Sequence, residues 1–236
     1  MAAYLRLDQI ISDTGLYSRS EAKALIRSGC VSADGQAANR GSEKYDPYKT
    51  IISVNGGIIR YSKYCYIMLN KPAGYVSSTE DRNEKTVLQL LDQKYSKLGV
   101  FPAGRLDKDA EGLLLLTNDG DLAHRVISPD GKISKRYFVK TDKTVTRDDI
   151  DAFSGGLTLG DGTVCLPAIL EPAPGGALVT VYEGKYHQVK RMMSAIGKPV
   201  KYLKRISVGG LQLDEDMEPG QYREIGDEIA ALLDNK

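Results

Sequence analysis

Between Phe101 and Gly120 a charged loop, Arg105-Leu106-Asp107-Lys108-Asp109-Ala110-Glu111, runs straight into four consecutive leucines, Leu113 to Leu116. An apolar run this short, closed by Thr117-Asn118-Asp119-Gly120, predicts a strand buried on both faces. Asp107, Asp109 and Glu111 alternate ahead of it, so in an extended conformation all three carboxylates share one face. A metal-binding or acid/base cluster fits that pattern. An aspartyl-phosphate DxD motif fits it less well, because such a motif follows its hydrophobic strand and here the strand comes afterwards.

The 236 residues suffice for one full domain and a small one. No apolar run approaches the roughly 20 residues of a membrane helix. The opening MAAYLRLDQI has no apolar signal core, so a cytoplasmic location is expected. Cys30, Cys65 and Cys165 lie far apart and form no CxxC pair, which argues against a disulfide framework and makes each a candidate small buried residue. The net charge of +1 hides a gradient: residues 1–63 carry +3, 64–210 carry +4 and 211–236 carry −6. Seven basic residues and no acidic one lie between Gly184 and Leu213, a one-signed stretch that suits phosphate contacts. The acidic end, Asp214–Glu218 and Asp227-Glu228, reads as an ordinary solvated surface.

In the first sixty residues, Leu5, Leu7, Ile10 and Ile11 predict a short helix that Gly15 stops. Ser18 and Glu21 form a capping box for a second helix whose apolar stripe is Ala22, Leu25 and Ile26, ended at Gly29. Asp34-Gly35 and Asn55-Gly56 predict tight turns between short strands. The run Leu5-Arg6-Leu7-Asp8, Gly15-Leu16-Tyr17-Ser18-Arg19-Ser20-Glu21-Ala22, Leu25-Ile26-Arg27-Ser28-Gly29 resembles the S4 RNA-binding domain over residues 1–60. Ala33-Asp34-Gly35 replaces the usual VNG. The resemblance implies that Arg6, Arg19, Lys23 and Arg27 contact RNA phosphates, which set register without reading sequence.

Gly104-Arg105-Leu106-Asp107 followed by Glu111-Gly112-Leu113-Leu114-Leu115-Leu116-Thr117-Asn118-Asp119-Gly120 resembles the central motif of the RsuA/RluB/RluE/RluF group of pseudouridine synthases. Asn70-Lys71-Pro72-Ala73-Gly74, Lys135-Arg136-Tyr137-Phe138-Val139 and the segment Glu183–Met193 resemble the group's remaining motifs. The resemblance implies that Asp107 is the catalytic carboxylate, that Tyr137 stacks on the uracil, that Lys190 pairs with Asp107, and that Arg105 helps displace the base. Lys71, His187 and Arg191 are then RNA-binding candidates, with His187, Lys190 and Arg191 at i, i+3 and i+4 on one face of a helix and Val189, Met193 and Ile196 on its core face. With His124 the only other histidine, a zinc site at His187 is not expected.

Isomerising uridine breaks the N1–C1′ bond, turns the uracil and joins C5 to C1′. One carboxylate suffices, by addition to C1′ or by deprotonating the sugar toward a glycal; both routes remain open. No cofactor or metal is expected. The base must leave its stack, so an unpaired or weakly paired uridine is the expected target. The expected fold is α+β: a small S4 domain, then a catalytic domain over residues 64–236 on a largely antiparallel mixed sheet flanked by helices. Those helices are expected after Asp119-Gly120, after the Thr146–Asp149 cap and through His187–Ile196. Pro167-Ala168-Ile169-Leu170-Glu171 and Leu213–Tyr222 are most similar to the branch acting on 16S rRNA. The expected partner is therefore rRNA, 16S in a partly assembled small-subunit particle, bound by a monomer without any membrane contact. A 23S target and a non-catalytic S4 assembly factor are the alternatives.

Overall fold

The computed structural model describes residues 4–128 and 132–226, together with Ile229 and Leu233. Asp227-Glu228 lies outside the described residues. The chain divides into two compact units, one of residues 1–65 with 92–100, the other of residues 66–91 with 101–236. The expected boundary at residues 60–64 falls beside the division at Cys65–Tyr66. The sequence of the second unit is broken by Asp92–Val100, which belongs with the first unit.

The first unit begins with a two-residue strand β1 (Leu5–Arg6), α1 (Leu7–Ser12) and α2 (Arg19–Arg27). Ser18 and Glu21 make the reciprocal capping box read from their spacing. Strands β2 (Val31–Ala33), β3 (Gln36–Ala37), β4 (Lys44–Tyr45), β5 (Ile52–Val54) and β6 (Gly57–Ile59) follow, and α3 (Gln93–Lys97) completes the unit. Asp34-Gly35 and Asn55-Gly56 take positive φ at both positions and close the β2–β3 and β5–β6 hairpins. Leu7, Ile10, Ile11, Ala22, Ile26, Val31, Ile52 and Val54 form one apolar core.

The second unit contains β7 (Tyr66–Lys71), β8 (Phe101–Pro102), β9 (Glu111–Thr117), α4 (Gly120–Ile127), β10 (Lys135–Thr141), α5 (Arg147–Gly155), β11 (Ile169–Ala173), β12 (Gly176–Val181), α6 (Gln188–Ala195), β13 (Val200–Val208), β14 (Leu211–Gln212) and β15 (Tyr222–Ile225). The main path of its sheet runs β11-β12-β10-β13-β9-β7-β15, with β14 on β13 and β8 on β9. Every pairing is antiparallel except β13 with β9, so the sheet is the mixed, largely antiparallel one expected. The four leucines lie in β9 and are buried throughout, as a strand between two covered faces must be. The three expected helices are α4, capped by Asp119, α5, capped by Thr146 and Asp149, and α6.

One row of paired residues crosses the sheet and places several of the candidate side chains. Lys71 pairs with Gly112, Gly112 with Arg205, Arg205 with Tyr137 and Tyr137 with Val179. Residues paired in this way project from the same face. Gly112 is required there: at φ +100° a Cβ would sit 2.2 Å from the Arg205 carbonyl oxygen. The three cysteines form no disulfide among the described residues; Cys165 is buried and Cys30 and Cys65 are half-buried. No helix among the described residues is long and apolar enough to cross a membrane.

Candidate active site

Asp107 stands on the loop between β8 and β9, and that loop is fastened from three directions. Ser77 Oγ donates to the Leu106 carbonyl at 3.0 Å and accepts from the Leu106 amide at 3.1 Å. The Gly74 amide donates to the Lys108 carbonyl at 2.7 Å. Lys71, with no exposed surface, donates from Nζ to the carbonyls of Pro72, Lys108 and Ala110 at 3.1, 3.2 and 2.7 Å. Burial pulls the Lys71 ammonium down to about 8 against the opposing charges of Asp109, Asp107 and Glu111. Three carbonyl acceptors and those carboxylates favour its protonated form. The expectation that Lys71 contacts RNA is corrected: a fully buried ammonium committed to backbone carbonyls has no access to a phosphate.

The extended arrangement of three carboxylates on one face is also corrected. Residues 108 and 109 form a turn, closed by the Ala110 amide on the Asp107 carbonyl at 3.1 Å, which separates the acids. Glu111 accepts from the Tyr202 hydroxyl at 2.8 Å, while Asp107 and Asp109 converge on Lys190. Its Nζ lies 3.1 Å from Asp107 Oδ2 and 2.6 Å from Asp109 Oδ1. Burial lowers the Lys190 pKa, but the hydrogen bonds and charges of Asp109 and Asp107 outweigh it and hold the pKa above the ordinary lysine value. Asp109 is held below the ordinary carboxylate range, chiefly by its hydrogen bond from Lys190.

His187 Nε2 sits 3.4 Å from the other oxygen of Asp107. His187 precedes α6 in a left-handed conformation, φ 47° and ψ 36°, a costly backbone state for a residue with a Cβ. The buried Glu183 carboxylate holds this bend by accepting from the Leu166 amide at 2.9 Å and from Gln188 Nε2 at 2.8 Å. Gln188 in turn accepts from the Lys185 amide at 2.9 Å. The His187 ring stacks on Tyr186, centroids 3.8 Å apart. Arg191, expected to turn toward RNA beside these residues, instead pairs with Asp161 and donates to the Tyr186 carbonyl.

A cleft of about 640 Å³ opens over Asp107, bounded by Arg105, Tyr137, His187, Arg205 and Lys135. That volume accommodates a nucleotide. Arg105 is exposed at its mouth. Sequence reasoning brings together Asp107, Tyr137, Lys190, His187 and Arg105, but it misses Ser77, Lys135, Glu183, Gln188 and Arg205. Only Arg205 left a usable trace, as a charge at the same alternation as the core residue Leu203 in β13.

The basic stretch from Gly184 to Leu213 is not an open phosphate strip. Lys185 pairs with Glu183, Lys198 with Asp149 and Lys201 with Asp142, and Arg205 is buried. In the first unit, Arg6 makes a double hydrogen bond to the buried Asp8 at 3.0 and 2.9 Å, and Arg19 approaches the same carboxylate at 3.7 Å. Lys23 and Arg27 are exposed on α2.

Residues 65–195 match the family model described as RNA pseudouridylate synthase, and residues 5–47 match the S4 domain. The chain is 42% identical to an uncharacterized RNA pseudouridine synthase of Bacillus subtilis (strain 168), YtzG, over 97% of this chain and 98% of that one. It is 38% identical to ribosomal small subunit pseudouridine synthase A of Escherichia coli (strain K12), over 97% of this chain and all of the relative. A crystal structure of a pseudouridylate synthase superposes with a TM-score of 0.67 at 36% identity, covering 97% of this chain and 99% of the other. With its N-terminal S4 domain followed by a catalytic unit of this fold, the chain belongs to the RsuA-like RNA pseudouridine synthases, which are isomerases.

Proposed function

We propose that the protein converts a uridine of 16S ribosomal RNA to pseudouridine, with Asp107 as the catalytic carboxylate. The observation that carries the reading is the setting of Asp107: one oxygen faces His187 and the other Lys190, at the floor of a cleft walled by Tyr137. The small-subunit target is supported by relatives of that description that align over nearly the whole chain.

In this reading the target uridine leaves its stack, Arg105 occupies the gap at the mouth of the cleft, and the uracil lies against the ring of Tyr137. Asp107 either adds to C1′ or removes a sugar proton as the N1–C1′ bond breaks. Lys190 and His187 fix the carboxylate oxygens while Ser77 and Lys71 keep the loop from drifting, since small displacements of a reacting group cost large factors in rate. The uracil then turns within the cleft, C5 bonds to C1′, and the C5 proton is lost. Lys23 and Arg27 of the S4 unit contact rRNA phosphates, with Arg19 shared between Asp8 and the RNA. The protein acts as a monomer on a partly assembled small-subunit particle.

The test is incubation of the protein with 16S and 23S rRNA, each naked and in assembling particles, followed by mapping of new pseudouridines. A single new site in 16S rRNA is the expected result. A site in 23S rRNA alone would overturn the target, and tight binding without any conversion would favour a non-catalytic assembly factor.

A further inference from the structure

Two basic side chains in the cleft have no part in that scheme. Lys135 is 6% exposed and Arg205 4%. Arg205 donates Nε to the Leu113 carbonyl at 2.7 Å, and its guanidinium carbon lies 6.0 Å from the centre of the Tyr137 ring. Lys135, two residues before Tyr137 and on the same face of β10, has an Nζ that is buried and without a hydrogen-bond partner among the described residues. Burial, followed by the like charge of Arg205, pulls its pKa to about 8, and no carboxylate contributes.

Lys71 and Lys198 make the contrast. Both are buried, but Lys71 is saturated by carbonyls and Lys198 is paired with Asp149. Two neighbouring buried cations, neither in a salt bridge among the described residues, destabilise a fold. Their position beside Tyr137, in the cleft that holds Asp107, is accounted for if negative charge arises there during turnover. When N1–C1′ breaks, the electron pair stays on the uracil and spreads from N1 onto its carbonyl oxygens. That anion is generated where the ring lies against Tyr137, directly across the ladder from Arg205.

We propose that Lys135 and Arg205 are catalytic residues that stabilise the departing uracilate anion, an inference that rests on the roles of Asp107 and Tyr137 proposed above. The charge balances. The pair leaving C1′ resides on uracil, between the two cations, while Asp107 holds C1′ or the sugar proton. It is then used to form the C5–C1′ bond, after which C5 releases its proton and N1 takes one up. The cations stabilise the intermediate without exchanging a proton.

The experiment uses the full chain and an rRNA substrate carrying either uridine or 5-fluorouridine at the target position, under single-turnover conditions with saturating enzyme. Loss of the parent nucleoside is followed after digestion. Fluorine makes the uracil a better leaving group that needs less stabilisation. Lys135→Met should slow loss of uridine about 100-fold, and the deficit should shrink to about tenfold with 5-fluorouridine. RNA affinity should change by less than about twofold, and Lys135→Arg should retain most of the rate. Because a buried, unpaired charge is removed, Lys135→Met should also raise the midpoint of thermal unfolding by a few degrees. Equal deficits on the two substrates would overturn the proposal, as would a lowered midpoint. Weakened RNA binding with an unchanged single-turnover rate would make Lys135 a phosphate contact instead. An Asp107→Asn protein that still consumed both substrates would overturn the parent reading and this one together.

Discussion

Lys71 Nζ lies 2.7 Å from the carbonyl oxygen of Ala110, three residues beyond Asp107, so the lysine that ends β7 acts through the backbone on the loop that carries Asp107. Lys71→Met should lower kcat about 100-fold by freeing that loop, at a stability cost of about 1–3 kcal/mol for the unpaired carbonyls. RNA affinity should be unchanged. Filter binding across a salt series checks this, because losing a phosphate contact would flatten the salt dependence and losing a loop anchor would not.

Gly112 admits the backbone of Arg205 to within 2.2 Å of where a Cβ would stand. Gly112→Ala should therefore separate β9 from β13 and destabilise the catalytic unit by about 3 kcal/mol or more, from the clash and the positive φ together. Denaturant unfolding measures the loss. Protection of the Arg205 amide from hydrogen exchange should fall with it.

Asp8 is fully buried and its pKa is lowered, first by the hydrogen bond from Arg6. A depressed carboxylate stabilises the fold above its unfolded pKa of about 3.9, and that contribution is lost as pH falls through the folded value. Asp8→Asn should cost about 1–3 kcal/mol at neutral pH and remove the acid sensitivity that Asp8 contributes. Unfolding curves at pH 7 and pH 3 for the two proteins check both points.

Lys135 carries the opposite sign. Its pKa is about 8 in the fold and about 10.4 in the unfolded chain, so between those values the unfolded state binds the extra proton and stability from this group rises with pH. Below pH 8 it is charged in both states and the full cost of burial remains. The stability advantage of Lys135→Met over wild type should thus be greatest at pH 7 and shrink toward pH 10, read by thermal unfolding.

Local signals were legible in the residues and long-range ones were not. The Ser18–Glu21 and Thr146–Asp149 boxes, the Asn55-Gly56 turn and the Leu113–Leu116 strand are each decided within a few residues. The structure places them as their chemistry dictates. The pairing of Asp107 with Lys190 across 83 positions was legible only through resemblance to a family. Lys71 read as surface because lysine usually is; nothing local signals that two carbonyls of a distant loop, with that of Pro72, enclose it. Arg205 looked like one charge in a basic stretch because its role depends on β13 lying parallel to β9, a partner more than 90 residues away. The grouping of Asp92–Val100 with the first unit is a matter of tertiary contact that leaves no periodicity in the sequence.

The most direct test of the central claim is release of tritium from 5-tritiated uridine in 16S rRNA by the intact protein and by Asp107→Asn. The label leaves only when C5 gives up its proton after bonding to C1′. The account predicts stoichiometric release by the intact protein and none by Asp107→Asn, with the variant folded and still binding RNA. Release by Asp107→Asn at a rate near that of the intact protein would contradict it.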